Sequence, residues 1–482
     1  MDFLKVKGRK IVDEQENEVV LKGISIGGWM NMEDFINGFP GSEEGIRQTV
    51  AETIGKTKAE FFFNRMLDYI FNEDDARYLA EIGMNHVRLP INYRHFEDDN
   101  KPFEYKEDGF ARLDQALNWC EQYGLYAIID FHAVQGWQNN DWHCDNSSRH
   151  TLFWKHSQFQ DRFIALWQAL AERYRDRAVV AGYDLMNEPI CNAWRGRFTH
   201  QYKPEWETIN SIYKRAVTAI REKDSRHIIY LEGDNYSVLF DGMDPPFTDN
   251  LVYSSHNYIA SGLSGSYPGV PENYWVSENE KQRIWWDKEK QREEFFGCEG
   301  AQFAKKHNVP LWVSEFGSAY NGPIEKNPDR LHSLDDQLGV FDEFGANWSI
   351  WTYKDLGVMA SLCVEPESDY MQILKSVLIK KEQLNSHFGV SWLPPNPALQ
   401  KLHSLADYIG DAIDMPHVNR ADNRQFLGQS VFSEFAAIQL QPAFAQCFIG
   451  MSEQRLDEVL SAFSIKNCRK NTELLNVLKK HL

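Results

Sequence analysis

Apolar residues along the first 355 positions gather in short unbroken runs closed by turn residues, and longer stretches between the runs repeat apolar side chains every three or four positions. The runs predict eight strands, at Gly23 to Gly28, Met84 to Leu89, Tyr126 to His132, Val179 to Met186, His227 to Gly233, Leu251 to His256, Leu311 to Phe316 and Trp348 to Tyr353. Helices are predicted between them, among others at Ala111 to Tyr123, Gln158 to Tyr174, Glu207 to Lys223 and Leu331 to Phe344. Runs such as YAIIDFH and VVAGYDLM are apolar on both faces, as suits strands covered by helices outside and by side-chain layers inside. Eight such units make a closed parallel barrel. An open doubly wound sheet would carry a Gly-rich phosphate loop after an early strand, and no GxGxxG or Walker pattern occurs. The expected fold is therefore α/β, a (β/α)8 TIM barrel.

Ahead of the barrel, KVKGRKIVDEQENEVVLKG predicts two short strands around a polar turn, Asp13 to Asn17, a hairpin that caps the barrel bottom. A helix from Asp369 to Leu384 completes the last unit, and the loop Leu393 to Pro397 marks a boundary. The expected organisation is a catalytic barrel over 1–395 and a helical C-terminal extension over 396–482. Helical periodicity in LQKLHSLADYI, FSEFAAIQL, LDEVLSAFSI and TELLNVLKKHL supports the extension, packed on the barrel or on a second copy of the chain in a homo-oligomer.

The chain has 482 residues and a formal charge of −19, which argues against nucleic acid as a partner. No run of 18 apolar residues occurs, so no stable membrane insertion is expected; the opening MDFLKVKGRK has no signal-peptide core, and the expected location is cytoplasmic. Seven scattered cysteines without a CxxC read as reduced thiols. His143, Cys144 and Asp145 are the one cluster resembling metal ligands, but three adjacent residues do not turn toward one ion without an unusual loop, so no metal is expected.

In a barrel of this kind the reactive groups come from the C-terminal ends of the strands. Three predicted ends are unusually polar: Asn187, Glu188 and Pro189 after the fourth, His256, Asn257 and Tyr258 after the sixth, and Ser314, Glu315 and Phe316 at the seventh. A carboxyl at the mouth is costly to bury unless paired, and two of them facing across one pocket suggest an acid and a nucleophile. Such a pair needs different surroundings for its members. Arg88 and Tyr258 are expected to hold Glu315 as an anion, while Glu188, feeling that charge, is expected to be pushed toward its protonated form. His132 closes the third strand.

GISIGGWM (23–30), NHVRLPINY (85–93), IIDFH (128–132), DLMNEP (184–189), HNY (256–258), VSEFG (313–317) and WSIWTYKD (348–355) together resemble the cellulase-type glycoside hydrolases of family 5, in family order. The resemblance implies a retaining double displacement with Glu188 as acid/base and Glu315 as nucleophile. It implies Asn187 on the sugar 2-hydroxyl, Arg88, His132, His256 and Tyr258 as supports, Trp351 as the sugar platform, and no cofactor.

The inserts after the first, third, fourth and sixth strands are long enough to build walls, and a walled pocket admits a chain end. The expected substrate is therefore a carbohydrate, a short β-linked oligosaccharide or β-glucoside cleaved from its end. SIGGWMNMEDFI and GWQNNDWHCDNSS look like the exo-β-1,3-glucanase and β-glucosidase branch of the family. Trp137, Asn139 and Trp142 are the loop residues expected to touch substrate, with Trp275, Trp285 and Trp286 weaker candidates. Transglycosylation at the same site, an endo-acting β-glucanase or β-mannanase, and a non-catalytic carbohydrate-binding barrel are the alternatives.

Overall fold

The computed structural model describes residues 1–192, 202–258, 267–269, 285–320, 324–384, 386, 397–414, 423–424 and 427–482. Eight parallel strands close into a barrel in cyclic sequence order: Lys22–Ser25, His86–Asn92, Tyr126–Ala133, Val180–Asp184, Ile228–Glu232, Leu251–His256, Leu311–Glu315 and Asn347–Ile350. The predicted strands all occur, shifted by a few residues at most ends. The first and eighth end sooner than expected, at Ser25 and Ile350. Polar staples tie the lower rim: Asn85 Oδ1 accepts from the Lys22 amide at 2.8 Å while its Nδ2 donates to the Val20 carbonyl at 2.7 Å.

The helices follow their patterns. Trp206–Arg221 buries Ile209, Ile212, Tyr213, Ala216, Val217 and Ile220, the stripe a 3.6-residue period lays against a sheet. Asn72 starts the helix Glu73–Glu81 with a capping box, its side chain accepting from Asp74 while Asp75 accepts from the Asn72 amide. The helices Glu107–Tyr123 and Asn327–Phe344 stop at Gly124 and Gly345, whose φ of 74° and 75° a side chain would resist.

The N-terminal strands Lys5–Lys7 and Lys10–Val12 pair antiparallel, but their tight turn is at Gly8 rather than in the polar stretch. Asp13 to Asn17 forms a second turn that leads back to a single bridge between Val12 and Glu18. Leu4, Ile11 and Leu21 pack against Ile128, Ile228, Val252 and Trp312, so the hairpin plugs the bottom of the barrel interior.

Three helices, Asp34–Asn37, Glu43–Ile54 and Lys56–Ile70, fill the insert after the first strand. The C-terminal segment packs on them: Ala437–Gln446 on Glu43–Ile54, and Glu453–Leu460 on Lys56–Ile70. Phe444, Phe448, Leu456 and Phe463 join the same apolar core as the outer barrel wall. The segment is not wholly helical, since Cys468–Lys470 pairs antiparallel with Leu362–Val364. Most of the loop at Leu393 to Pro397 lies outside the described residues. Among the described residues no helix is long and apolar enough to cross a membrane.

Candidate active site

Strand ends bring the predicted groups together. Glu188 follows the fourth strand, His256 ends the sixth and Glu315 the seventh, and one oxygen of each carboxylate and one His256 nitrogen lie within 4.8 Å of one another. All three are buried. Glu188 sits at φ 45°, in the left-handed region that a side chain enters at a cost of about 1–3 kcal/mol. Both flanking peptide groups are anchored: its amide donates to Glu232 Oε2 at 2.7 Å and its carbonyl accepts from Asn139 Nδ2 at 2.8 Å. The strained turn aims the side chain into the mouth.

Arg88, fully buried on the second strand, organises the opposite wall. It donates to Glu315 Oε1 at 2.5 Å and to Asn187 Oδ1 at 2.7 Å, and lies 3.1 Å from Asp130, 3.3 Å from Asp184 and 3.3 Å from Glu232. Tyr258 donates to the other oxygen of Glu315 at 3.1 Å. The two expected donors therefore take one oxygen each. His132 Nδ1 donates to Asp130 at 2.8 Å, its Nε2 is 3.4 Å from Glu33, and Trp351 stacks on its ring at 5.2 Å with planes 7° apart.

The protonation pattern corrects one expectation. Burial alone would raise the Glu188 carboxyl, but the His256 and His143 rings hold it far below the usual carboxylate range. His256 Nδ1 donates to Glu188 Oε1 at 2.7 Å, and His143 Nε2 is 3.1 Å from Oε2. Sequence spacing gave no reason to bring His143 here. Burial pushes the His132 ring down, but Asp130 and Glu33 more than offset it and raise its pKa to about 10; burial likewise opposes the charge on His256, and Glu315, Glu232 and Glu188 overcome it. Burial raises Asp130, Asp184 and Glu33, and in Glu232 the same penalty is outweighed by His256, which lowers that carboxyl to about 2.

The loop residues divide. Trp142 packs against the apolar cluster of Phe35, Ile36, Ala319, Trp351 and Met359, meeting Phe35 edge to face at 6.2 Å. The Asn139 amide is engaged at both ends, with Glu188 and with the Asp141 amide, and the Trp137 indole donates to the Asp145 carbonyl, so both fix the loop. Trp286 is buried, Trp285 is exposed, and Trp275 lies outside the described residues. His143, Cys144 and Asp145 diverge, to Glu188, to the Asn139 and Asp141 carbonyls, and to Arg94 and Asn92 respectively. Sequence reasoning missed Glu33, Asp130, Asp184 and Glu232, and singled out His143 only as one of three candidate metal ligands. Asp130 was within reach, two residues before His132 and so on the same face of its strand, and Glu232 ends the fifth strand as Glu315 ends the seventh.

A closed parallel barrel with two carboxyls this close at its C-terminal mouth is the architecture of retaining glycosidases as a class. Residues 52–357 match the family described as Cellulase (glycosyl hydrolase family 5). A β-xylosidase of Phanerodontia chrysosporium is 35% identical over 99% of this chain and 98% of its own length. Endoglucanase C of Acetivibrio thermocellus is 28% identical over 62% of this chain and 88% of its own. The solved structure of an endogalactoceramidase shares the fold, with a TM-score of 0.52 and 18% identity over 73% of this chain and 75% of that one. The chain belongs to glycosyl hydrolase family 5. It is an O-glycosyl hydrolase of a family whose mechanism is retaining.

Proposed function

We propose that the protein is an exo-acting retaining β-glycosidase that removes the terminal sugar of short β-linked oligosaccharides or small glycosides, with Glu315 as nucleophile and Glu188 as acid/base. The separation of at most 4.8 Å between oxygens of the two carboxylates carries this reading, since retaining enzymes need about 5–5.5 Å between the groups. Glu315 attacks the anomeric carbon while Glu188 protonates the departing oxygen; Glu188 then takes a proton from the water that releases the sugar. Arg88 and Tyr258 orient Glu315 and stabilise its charge. Asn187, steadied by Arg88, bonds the sugar 2-hydroxyl, and Trp351 lies under the ring.

The exo reading is supported by the helical insert 34–70, and by Phe35 and Trp142, which meet edge to face in the apolar cluster that contains Trp351. It is also supported by the relative that spans the whole chain, named a β-xylosidase, whereas the endoglucanase matches only 62% of it. The proposed glycone is accordingly β-xylose or β-glucose. All seven cysteines are free thiols, in keeping with the cytoplasmic location that forms part of this proposal.

A panel of nitrophenyl β-xyloside, β-glucoside, β-mannoside and β-cellobioside tests the reading. Single-sugar release from the first or second is expected. Intact cellobiose as the sole product overturns the exo assignment, and no release from any substrate between about pH 4 and 8 overturns the catalytic one.

A further inference from the structure

Glu188 is held through both of its peptide groups, and the two paths lead to one short turn. Its amide donates to Glu232 Oε2 at 2.7 Å, and the Ser237 hydroxyl donates to that same oxygen. Its carbonyl accepts from Asn139 Nδ2 at 2.8 Å; Asn139 Oδ1 in turn accepts from the Asp141 amide at 3.0 Å, and the Asp141 carboxylate accepts from the Tyr236 hydroxyl. Tyr236 and Ser237 are adjacent in the connection that follows the fifth strand. Two consecutive hydroxyls thus close on the two sides of the proposed acid/base.

The turn that presents them is strained. Asn235, Tyr236 and Ser237 stand at φ 53°, 59° and 60°, and among the described residues no other consecutive non-glycine residues occupy the left-handed region. Asparagine enters it readily, whereas tyrosine and serine do so against the clash of Cβ with the following carbonyl. Contacts on either side hold the run in place. Asp234 and Leu239 exchange backbone hydrogen bonds at 3.0 Å in each direction, and Asp234 Oδ1 accepts from the Cys191 amide at 3.1 Å, three residues beyond Glu188. Strain of this kind persists where the surroundings over-determine it, and it collects at functional sites. Because φ sets the direction of the Cα–Cβ bond, ordinary backbone values would turn both hydroxyls from their acceptors.

Ser237 also decides how Glu232 is shared. Glu232 Oε1 lies 3.3 Å from Arg88 and 3.5 Å from the His256 ring, and the pull of these groups competes with the Glu188 amide for the carboxylate. The buried Ser237 hydroxyl keeps Oε2 on the side of the amide, and with it the φ of 45° at Glu188.

We propose that Tyr236 and Ser237 are positioning residues that clasp Glu188 in its left-handed conformation and so fix its carboxyl against the departing oxygen, an inference that rests on the reading of Glu188 as acid/base. Neither hydroxyl touches the sugar in this assignment. Both act through the backbone of Glu188, so their loss falls on the step that needs an aligned acid.

The test uses Ser237→Gly, which suits a φ of 60° while removing the hydroxyl, and Tyr236→Phe, which keeps the ring. Each is compared with wild type on the phenyl and 2,4-dinitrophenyl glycosides of the preferred sugar, the second of which departs without protonation. Each variant should lose about tenfold or more in kcat/KM on the phenyl glycoside and less than about twofold on the dinitrophenyl one. A merely structural role lowers both substrates together. Equal losses on the two, or no loss on the phenyl glycoside, in either variant overturns the proposal. Glu188→Ala separates the two claims: if it shows no dependence on the leaving group, the acid/base reading itself fails, whereas dependence there and none in the Tyr236 and Ser237 variants defeats this inference alone.

Discussion

The two ends of this barrel treat the same side chain in opposite ways. His86, at the start of the second strand, is fully buried near the Trp312 ring at 6.1 Å, and burial, weakly opposed by the Lys22 backbone, lowers its pKa to about 3. His132, at the end of the third strand, is almost equally buried, yet its pKa is about 10 because Asp130 lies 2.8 Å away and Glu33 lies beyond it. Burial acts in one direction on both rings. The difference lies in the carboxyls: the lower interior holds Leu4, Ile11, Ile128, Val252 and Trp312, whereas the mouth gathers Glu33, Asp130, Asp184, Glu188, Glu232 and Glu315 around Arg88 and three imidazoles. One scaffold thus keeps a neutral imidazole below and a charged network of carboxyls and imidazoles above.

That contrast can be broken most forcefully at the proposed reacting pair. Glu315→Ala and Glu188→Ala should each reduce kcat roughly a thousandfold or more, and azide should rescue the first with inverted anomeric configuration; wild-type turnover in either contradicts their assignment. Next in size is Arg88→Met. Removing the guanidinium that faces these four carboxyls should cost about 3–5 kcal/mol of stability, read from urea denaturation, because those carboxyls stay buried without it. A loss under about 1 kcal/mol would mean that protons, not Arg88, balance the mouth.

Asp130→Asn tests the histidine comparison directly. The folded state binds the His132 proton more tightly than an ordinary imidazole does, so the stability this contributes is complete below pH 6.5 and lost as pH rises toward about 10. Wild-type denaturation midpoints should therefore fall across that window, and the variant's should fall less. At the bottom, His86→Leu should leave kcat/KM unchanged and stability within about 1 kcal/mol, since it removes a polar ring with no well-made hydrogen bond. The smallest effect is expected from Glu434→Gln, in the C-terminal segment, whose carboxylate lies 3.3 Å from Arg149 of the loop that carries His143. A part-exposed pair of this kind is worth up to about 1 kcal/mol, visible as a small fall in thermal stability.

Much of this architecture could be read along the chain because it depends on local periodicity. Alternating apolar runs and helical stripes predicted all eight barrel strands, and in a parallel barrel each strand end is then committed to one face, which brought Glu188, His256 and Glu315 into view as candidates. Polar strand ends were legible. Inward neighbours such as Asp130 and Asp184 were less so, since a single acid within an apolar run has no meaning until its partner is known.

What the order of residues determined by itself was therefore the barrel, the polar ends of three strands, and the two donors that reach Glu315. Tertiary structure alone decided the protonation pattern: that His143 reaches Glu188 from a distant insert, that Glu232 anchors the Glu188 amide, and that a carboxyl expected to be raised is lowered. The reason is physical. Secondary structure follows from the spacing of apolar side chains within one segment, but a pKa depends on charges a few ångströms away in space, and those are contributed by loops whose closing contacts no local pattern specifies.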